Sequence, residues 1–376
     1  MNGSTQALGI SLKEVSASKG DGYRSNMRFG HDTPSEFLHL SGNSKVMTRA
    51  SRFPLLLLFA AFLLQGCREH PAPDNSGPSL ASATDALGKR VSVKEYPIRI
   101  VSTAPSNTEI LLCLGLRERL VGVTDFYGSP GKVQGIVKVG GYTNPSVEKI
   151  VSLQPNIVFA ARGNPRDVIE QLRGHGVTVF TLHTKSVAGL LSDIETIGLL
   201  TGTAERAKRC VAEIRKEIRL VRQRVKNLSD REKPRVLWVG QEEPLRTAGP
   251  GSLVDELIGL AGGKNVARDE RGPWPSYSIE KLVLQDPQVL ILGEDKYKNS
   301  PEKVTETLAM FKRHRIWRNI SAVKRGRVHY IRTDLLGQPS PAFVVGLKEL
   351  AECLHPDLFA ERRTERGEAE AEKKSD

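Results

Sequence analysis

The sequence predicts an α/β protein made of two α/β lobes joined by a long α-helix. Three observations predict this fold. Strand-like, β-branched runs alternate with amphipathic helical patterns over residues 97–185 and again over residues 231–359. Between these ranges, over residues 186–230, the strand signals give way to helical spacing. One phrase also occurs twice, starting at Tyr142 and at Trp274, so that each lobe contains one copy.

The first lobe begins with a short β-branched run and continues as helices between strands. Ser106 is the expected N-cap of the first helix, with Glu109 as its capping-box partner three residues later. Strands separated by helices predict a parallel sheet built from right-handed β-α units. The predicted strands are 98–103, 120–125, 156–161 and 177–182, and the predicted helices are 106–116, 147–154 and 166–176.

The linking segment, residues 186–230, is predicted to be helical with one break at the sequence TGT. Thr203 in that break is the expected cap of the long helix that follows. After Pro234 the alternation of strands and helices resumes. The second lobe has predicted strands at 235–240, 288–293 and 327–332, and predicted helices at 251–263, 278–285, 303–314 and 342–354.

The repeated phrase reads YTNPSVEKIVSLQPNIVFA in the first lobe and WPSYSIEKLVLQDPQVLIL in the second. In each copy a serine, Ser146 or Ser278, is placed to cap a short helix. Glu148 and Glu280 then fall in the first turn, where a carboxylate interacts favourably with the helix dipole by about 0.3–1 kcal/mol. A proline seven residues after each glutamate ends the helix and leads into a buried strand. Helix stabilisation is therefore one sufficient role for each glutamate.

The N-terminal part of the chain carries a secretory signal that starts at Met47. A basic segment is followed by the apolar run FPLLLLFAAFLL, which is shorter than the ~20 residues that span a membrane. The following sequence LQGC ends at Cys67 and resembles the cleavage site of bacterial lipoproteins, in which the cysteine is diacylated. We therefore expect a periplasmic or extracytoplasmic protein of the cell envelope, anchored to a membrane by lipid on Cys67.

Before and after the two lobes the chain is divided into four further segments. Residues 1–46 precede the signal and are interpreted as a non-native or disordered extension, with residues 47–67 as the signal peptide. Residues 68–96 are rich in Pro, Ser, Ala and Gly and are predicted to be a flexible tether. Residues 360–376 form a tail of mixed charge without an apolar face.

Composition and motifs exclude several functions. The formal net charge is +12, but the basic residues are mixed with acidic ones and no nucleic-acid-binding signature accompanies them, so we expect no nucleic-acid partner. The chain has no nucleotide-binding glycine motif, no nucleophile elbow and no zinc-ligand spacing, which predicts neither catalytic residues nor a metal site. At most one disulfide can form among Cys113, Cys210 and Cys353, and the sequence leaves its pairing open.

From about Ile98 to Phe359 the chain resembles the periplasmic substrate-binding proteins of ABC importers for cobalamin, ferric siderophores and haem. The resemblance rests on a set of phrases in order, among them RIVSTAPSNTEILLCLGL, LIGLAGGKNVA and PSPAFVVGLKELAECLHP, together with both copies of the repeat. It implies two Rossmann-like lobes joined by a single long helix, with a small-molecule ligand in the cleft between them. It also implies that Glu148 and Glu280 dock on a permease dimer, which works with ATPase subunits, so docking is a second role for these glutamates.

The resemblance implies a ligand site where the carboxyl ends of the strands face the cleft. GPWPSYSIE and RTDLLGQPSP look most like the cobalamin-binding members, although Tyr142 stands where those often have Trp and Gln338 where Arg is common. The expected ligand is cobalamin or a related corrinoid, then haem, which a tyrosine could ligate, and then a ferric siderophore; no cofactor is expected. An enzyme on a similar two-lobed fold, or an adhesive lipoprotein, are the alternatives of another class. The implied ligand-binding residues are Phe126, Tyr127, Tyr142, Arg162, Trp274, Asp334 and Gln338.

Overall fold

The computed structural model describes residues 79–125, 130–293 and 301–360. The signal peptide with Cys67, the first part of the predicted tether, nearly all of the predicted tail, and the site candidates Phe126 and Tyr127 lie outside these ranges. Within the described ranges, no helix is both long and apolar enough to cross a membrane.

The first lobe contains a five-stranded parallel sheet with strand order β5-β4-β3-β8-β9. Every strand and helix predicted for this lobe is present. A two-residue edge strand, β5, and a short antiparallel pair, β6 and β7, were not foreseen. The strands are β3 (Ile100–Ser102), β4 (Leu120–Val123), β5 (Val137–Lys138), β6 (Gly140–Gly141), β7 (Asn144–Pro145), β8 (Ile157–Ala161) and β9 (Val179–Leu182), and the helices are α1 (Pro105–Cys113), α2 (Val147–Ser152) and α3 (Arg166–Gly174).

A β-hairpin precedes this sheet, in the range predicted to be a flexible tether. β1 (Ala81–Thr84) pairs antiparallel with β2 (Arg90–Val93), and the hairpin buries Ala81, Val91 and Val93. The tether prediction is therefore wrong for these residues. The small side chains of this segment resemble linker composition, but their alternation along the strands gives the hairpin one apolar face.

Asp85 fixes the turn of this hairpin to the first lobe. One carboxylate oxygen accepts hydrogen bonds from the backbone N–H groups of Leu87 (2.9 Å) and Lys89 (2.8 Å). The other accepts from Arg173 Nη2 at 2.7 Å and from the backbone N–H of Thr181 at 3.3 Å. The buried carboxylate is thus compensated by one cation and three backbone donors, as a buried charge requires.

Two helices carry the chain from the first lobe to the second. They are α4 (Val187–Thr201) and α5 (Ala204–Val225), separated at Gly202, which adopts a left-handed backbone conformation (φ 70°). At 22 residues, α5 is about 33 Å long. The helical prediction for this segment is confirmed, including the break.

Two predicted caps are wrong in detail. The N-cap of helix α1 is Ala104, two residues before the expected Ser106, and Pro105 is in the first turn, so Ser106 lies inside the helix. Thr203 does occupy the N-cap position of α5, but its hydroxyl forms a hydrogen bond with the hydroxyl of Thr201 (2.9 Å) and makes no capping bond.

The second lobe contains a four-stranded parallel sheet with strand order β13-β10-β14-β15. All of its predicted strands and helices are present. The additional strands are the edge strand β13 and the small antiparallel pair β11 and β12. The strands are β10 (Arg235–Val239), β11 (Gln241–Glu242), β12 (Leu245–Arg246), β13 (Lys264–Asn265), β14 (Val289–Leu292) and β15 (Val328–Tyr330), and the helices are α6 (Leu253–Leu260), α7 (Ile279–Gln285), α8 (Pro301–Arg313), α9 (Ser321–Lys324), α10 (Thr333–Leu336) and α11 (Phe343–Leu354).

The two sheets share one topology. The order β4-β3-β8-β9 in the first sheet corresponds to β13-β10-β14-β15 in the second. Among the four strands of each set, the first in the chain lies between the second and the third, and the fourth lies beyond the third. The repeated phrase forms the helix and third strand of each lobe, α2 with β8 and α7 with β14. The repetition in the sequence thus reflects the same structural unit used twice.

Helix α5 is attached to both lobes. Near its N-terminus, Cys210 forms a disulfide with Cys113 of α1, and Arg206 donates to the carbonyl oxygens of Leu114 and Gly115, each at 3.2 Å. One hydrophobic cluster continues along α4 and α5 from the first sheet to α6 and α11 of the second lobe. The helix therefore joins the two lobes through packed side chains as well as through the backbone.

Removing the disulfide should destabilise the protein substantially. Cys113 and Cys210 are 97 residues apart, and closing so long a loop restricts the unfolded chain, so the double variant Cys113→Ser/Cys210→Ser should lose about 2–4 kcal/mol of unfolding free energy. Urea unfolding of the oxidised proteins measures this loss. Cys353→Ser, which leaves the disulfide intact, is the control. An unchanged midpoint in the double variant would contradict the expectation.

Candidate functional site

The carboxyl ends of the first sheet are held together by the buried side chain of Asn164. Its Oδ1 accepts from the backbone N–H of Ala161 and from the hydroxyl of Thr103, both at 2.8 Å. Its Nδ2 donates to the carbonyl oxygens of Thr103 (2.9 Å) and Tyr142 (2.7 Å). One amide thereby ties the ends of β3 and β8 to the loop that carries Tyr142.

Tyr142 lies over the turn that follows β8. Its hydroxyl forms a hydrogen bond with the backbone of Gly163, and a Cβ at that position would overlap the phenol unless Tyr142 moved. Burial raises the pKa of the Tyr142 phenol, with the bond to Gly163 acting in the opposite direction. Tyr142 as a whole remains 38% exposed, so it can still contact a ligand.

Arg162 lies near an imidazole, His183, and a further cation, Lys185. β8 and β9 are parallel neighbours, so Arg162 and His183 follow adjacent strand ends, and Arg162 Nη1 is 3.5 Å from His183 Nδ1. Burial lowers the pKa of His183, and the nearby charges of Lys185 and Arg162 lower it further. The edge of the first sheet thus presents an exposed basic group formed by Arg162, His183 and Lys185.

Trp274 forms part of an aromatic pair in the second lobe. Its ring centroid lies 5.5 Å from that of the buried Trp238, with an angle of 56° between the ring planes. Trp238 is near the carboxyl end of β10, and its indole packs so closely over Gly293, just after β14, that a Cβ there would overlap it. The half-buried Trp274 is therefore held in place by a second indole at the sheet edge.

Asp334 and Gln338 lie in and after α10, which follows β15. The carboxylate of Asp334 forms an ion pair with Arg332, in which Arg332 Nε donates to Oδ1 at 2.9 Å and Nη2 donates to Oδ2. Arg332 itself is buried. The half-buried Gln338 follows Gly337 at the end of α10. The charge of Asp334 is therefore already paired with that of Arg332 at the site.

The structure places the described candidates in two groups. Tyr142 and Arg162 are at the carboxyl edge of the first sheet, and Trp274, Asp334 and Gln338 are around the carboxyl edge of the second. The residues that the sequence did not single out are Asn164, Trp238, His183, Lys185 and Arg332. Only Trp238 had a sequence signal, as an indole two residues before the glycine that ends its strand.

Glu148 and Glu280 are both exposed, in the first turns of α2 and α7. The predicted caps are confirmed, since Ser146 accepts a hydrogen bond from the backbone of Lys149 (3.3 Å) and Ser278 from that of Lys281 (3.2 Å). Hydrogen bonds from its own backbone and from Ser278 lower the pKa of Glu280, which keeps it ionised.

The other ends of α2 and α7 are also built alike. The guanidinium of Arg99 donates to the carbonyl oxygen of Leu153, with Nε at 3.0 Å and Nη2 at 2.6 Å. In the second lobe Arg235 Nε donates to the carbonyl oxygen of Gln285 at 2.9 Å. The residue before each proline, Gln154 or Asp286, has a positive φ. The two glutamate-bearing helices are therefore capped at one end and held by an arginine at the other.

The molecule has two similar α/β lobes and a connecting helix that is attached to both. Polar and aromatic groups lie at the carboxyl edges of both sheets. These features define a ligand-binding protein of the two-lobed α/β class. The chain belongs to the periplasmic binding protein family, whose model matches residues 100–335. Proteins of this family serve in transport and are not enzymes. The chain is accordingly a substrate-binding protein of the ABC-transporter group that handles vitamin B12, haem and iron compounds.

Known relatives cover most of the chain. An uncharacterised ABC transporter substrate-binding lipoprotein of Bacillus subtilis, YvrC, is 31% identical over 316 residues, which is 81% of this chain and 97% of the relative. A cobalamin-binding protein of Halobacterium salinarum is 29% identical over 294 residues, which is 76% of this chain and 77% of the relative.

Solved structures share the fold. The periplasmic vitamin B12-binding protein of Vibrio cholerae superposes with a TM-score of 0.58 at 25% identity, covering 69% of this chain and 96% of that one. A periplasmic haem-binding protein of Pseudomonas aeruginosa gives a TM-score of 0.60 at 26% identity, covering 69% of this chain and 94% of that one.

Proposed function

We propose that the protein captures cobalamin or a related corrinoid between its lobes and delivers it to the permease of an ABC importer. The observation that carries this proposal is the Trp238–Trp274 pair. A large ligand with an apolar macrocycle needs a fixed aromatic wall, and Trp238 supplies the rigid support that makes Trp274 such a wall. The relatives named for cobalamin and vitamin B12 support the same ligand class.

Haem is the second candidate of the same family. The haem-binding structural relative and the exposed edge of Tyr142 favour it. Iron ligation by tyrosine uses the phenolate, however, and burial raises the pKa of this phenol while its oxygen is engaged with Gly163. Ligation would therefore require both deprotonation and a change of hydrogen-bond partner, which places haem behind a corrinoid.

An anionic ligand such as a ferric siderophore is the third candidate. Arg162 was the one cation among the candidate residues from the sequence, whereas the structure adds the cation of Lys185 and the imidazole of His183, whose pKa is lowered. Such a group favours carboxylate or phosphate oxygens. A corrinoid with a phosphate group can also bind to these side chains. They therefore do not by themselves place a siderophore ahead of a corrinoid.

We also propose that the protein is held at the membrane by lipid on Cys67 and docks on its permease through Glu148 and Glu280. The lipoprotein relative supports the anchor. Charge pairs at an interface set orientation and association rate, and two exposed, rigidly mounted carboxylates fit that role. Docking and helix stabilisation are compatible, because a glutamate in the first turn can do both.

The binding proposal is tested by titrating the purified full-length protein with cyanocobalamin, by calorimetry and visible absorption. We expect saturable binding of one corrinoid. Trp274→Ala should weaken it by about tenfold to a hundredfold, since it removes most of a buried aromatic contact, while Trp274→Phe should retain most of the affinity. An unchanged unfolding midpoint for Trp274→Ala shows that the loss is local. Binding of haemin with a shifted Soret band, and none of cyanocobalamin, would overturn the corrinoid assignment in favour of haem.

A further inference from the structure

The helices α2 and α7 match in their backbone design but differ in what they expose. Their serine caps, their positive-φ residues and the carbonyl groups that accept from the arginine anchors correspond at a constant separation of 132 residues, as in Gln154 and Asp286. By the same correspondence, the last turn of α2 contains Val151 and Ser152 where α7 has Val283 and Leu284. On the exposed surface of the last turn, a serine in the first lobe is thus replaced by a leucine in the second.

Leu284 is 79% exposed, more than any other large hydrophobic residue of the described chain, and Val283 beside it is 51% exposed. They are three and four residues after Glu280, so the carboxylate and the two apolar side chains share one face of α7. In the first lobe Ser152 occupies the place of Leu284, and Val151 is half-buried. Only the second lobe therefore joins its glutamate to an exposed apolar surface.

The surroundings of this face strengthen its acidic and apolar character. Lys281, the cation nearest to Glu280 in sequence, forms an ion pair with Glu270 at 2.5 Å. The helix is fixed by Ser278 at one end and Arg235 at the other, so Leu284 is presented on a rigid support. Little conformational entropy is then lost when a partner covers it.

We propose that the face formed by Glu280, Val283 and Leu284 is the stronger of two permease-docking surfaces. Leu284 then enters an apolar depression of the permease beside the cation that meets Glu280. The inference rests on the proposed docking function. A membrane surface is a poorer occupant, because the carboxylate beside the apolar pair is repelled by anionic headgroups.

The test compares binding to the ABC permease–ATPase complex of the same organism, reconstituted in lipid nanodiscs. Leu284→Ser gives the second lobe the residue of the first and should weaken binding about tenfold, since it removes one buried leucine from the interface. The reciprocal Ser152→Leu should tighten it. Leu199→Ser, at an exposed leucine of α4, is the matched control and should have no effect.

The outcomes separate this inference from the docking proposal. If Glu148→Lys and Glu280→Lys weaken binding but Leu284→Ser leaves it within about twofold, the inference fails and docking stands. If none of the three changes matters, docking itself fails. If Leu284→Ser reduces binding to empty nanodiscs as much as to loaded ones, Leu284 contacts lipid and the permease assignment is overturned. Corrinoid affinity should be the same in all variants.

Discussion

Reversing the charges of Glu148 and Glu280 together should abolish corrinoid uptake and leave corrinoid binding unchanged. Both carboxylates are exposed in the first turns of capped helices, and neither is among the candidate ligand-binding residues. In Glu148→Lys/Glu280→Lys, cations of the permease would face lysines, and like charges brought together at an interface cost several kcal/mol. Uptake by cells that depend on this protein should therefore fall by at least about a hundredfold.

A matched control separates docking from net charge. Glu118 and Glu205 are exposed glutamates outside α2 and α7, and Glu118→Lys/Glu205→Lys changes the net charge by the same amount. This variant should retain uptake. Single reversals should give intermediate losses, larger for Glu280 if its helix is the stronger docking surface. Normal uptake by the doubly reversed protein would refute docking through these glutamates.

Breaking the ion pair between Glu217 and Lys348 should cost about 3–5 kcal/mol of unfolding free energy. Glu217 is on α5 and only 2% exposed, and it pairs with Lys348 of α11 in the second lobe. Lys348→Ala leaves a carboxylate buried without its cation, which accounts for the size of the effect. Guanidinium unfolding of the single variants measures it.

Replacing both partners distinguishes a buried charge from a packing defect. In Glu217→Met/Lys348→Met the site is filled by apolar side chains of similar length, and most of the lost stability should return. The exposed pair of Lys208 and Glu205 on the same helix provides the comparison, and Glu205→Ala should have little effect. Equal small losses at both sites would show that the buried pair contributes no more than a surface pair.

These contacts also bear on how the protein closes on its ligand. Cys210 and Arg206 attach the first half of α5 to the first lobe, while Glu217 and Arg224 attach the second half to the second lobe, the latter through the carbonyl oxygen of Leu358 at 2.8 Å. In addition, Glu256 of α6 accepts a hydrogen bond at 2.8 Å from the backbone N–H of Val187, at the start of α4. A helix clamped in this way resists wide hinge opening, and we expect closure of small amplitude.

Much of the fold followed from local patterns in the sequence. The alternation of strands and helices in both lobes, the helical link with its break, and the caps Ser146 and Ser278 were all predicted correctly. Each depends on residues within a few positions of one another, because helix and strand periods and capping bonds act over that range. The repeat also indicated that Glu148 and Glu280 occupy equivalent places.

What the sequence could not determine depends on contacts between distant residues. Three such contacts join segments that are tens of residues apart. They are the disulfide between Cys113 and Cys210, the ion pair of Asp85 with Arg173 that fixes the hairpin, and the hydrogen bonds of Asn164. Tertiary structure also paired Trp238 with Trp274 and brought His183 to Arg162. Such contacts arise where the ends of parallel strands meet, and local patterns carry no information about which ends become neighbours. The sequence by itself thus determined the elements and their repetition, and only the tertiary structure decided which side chains meet at the site.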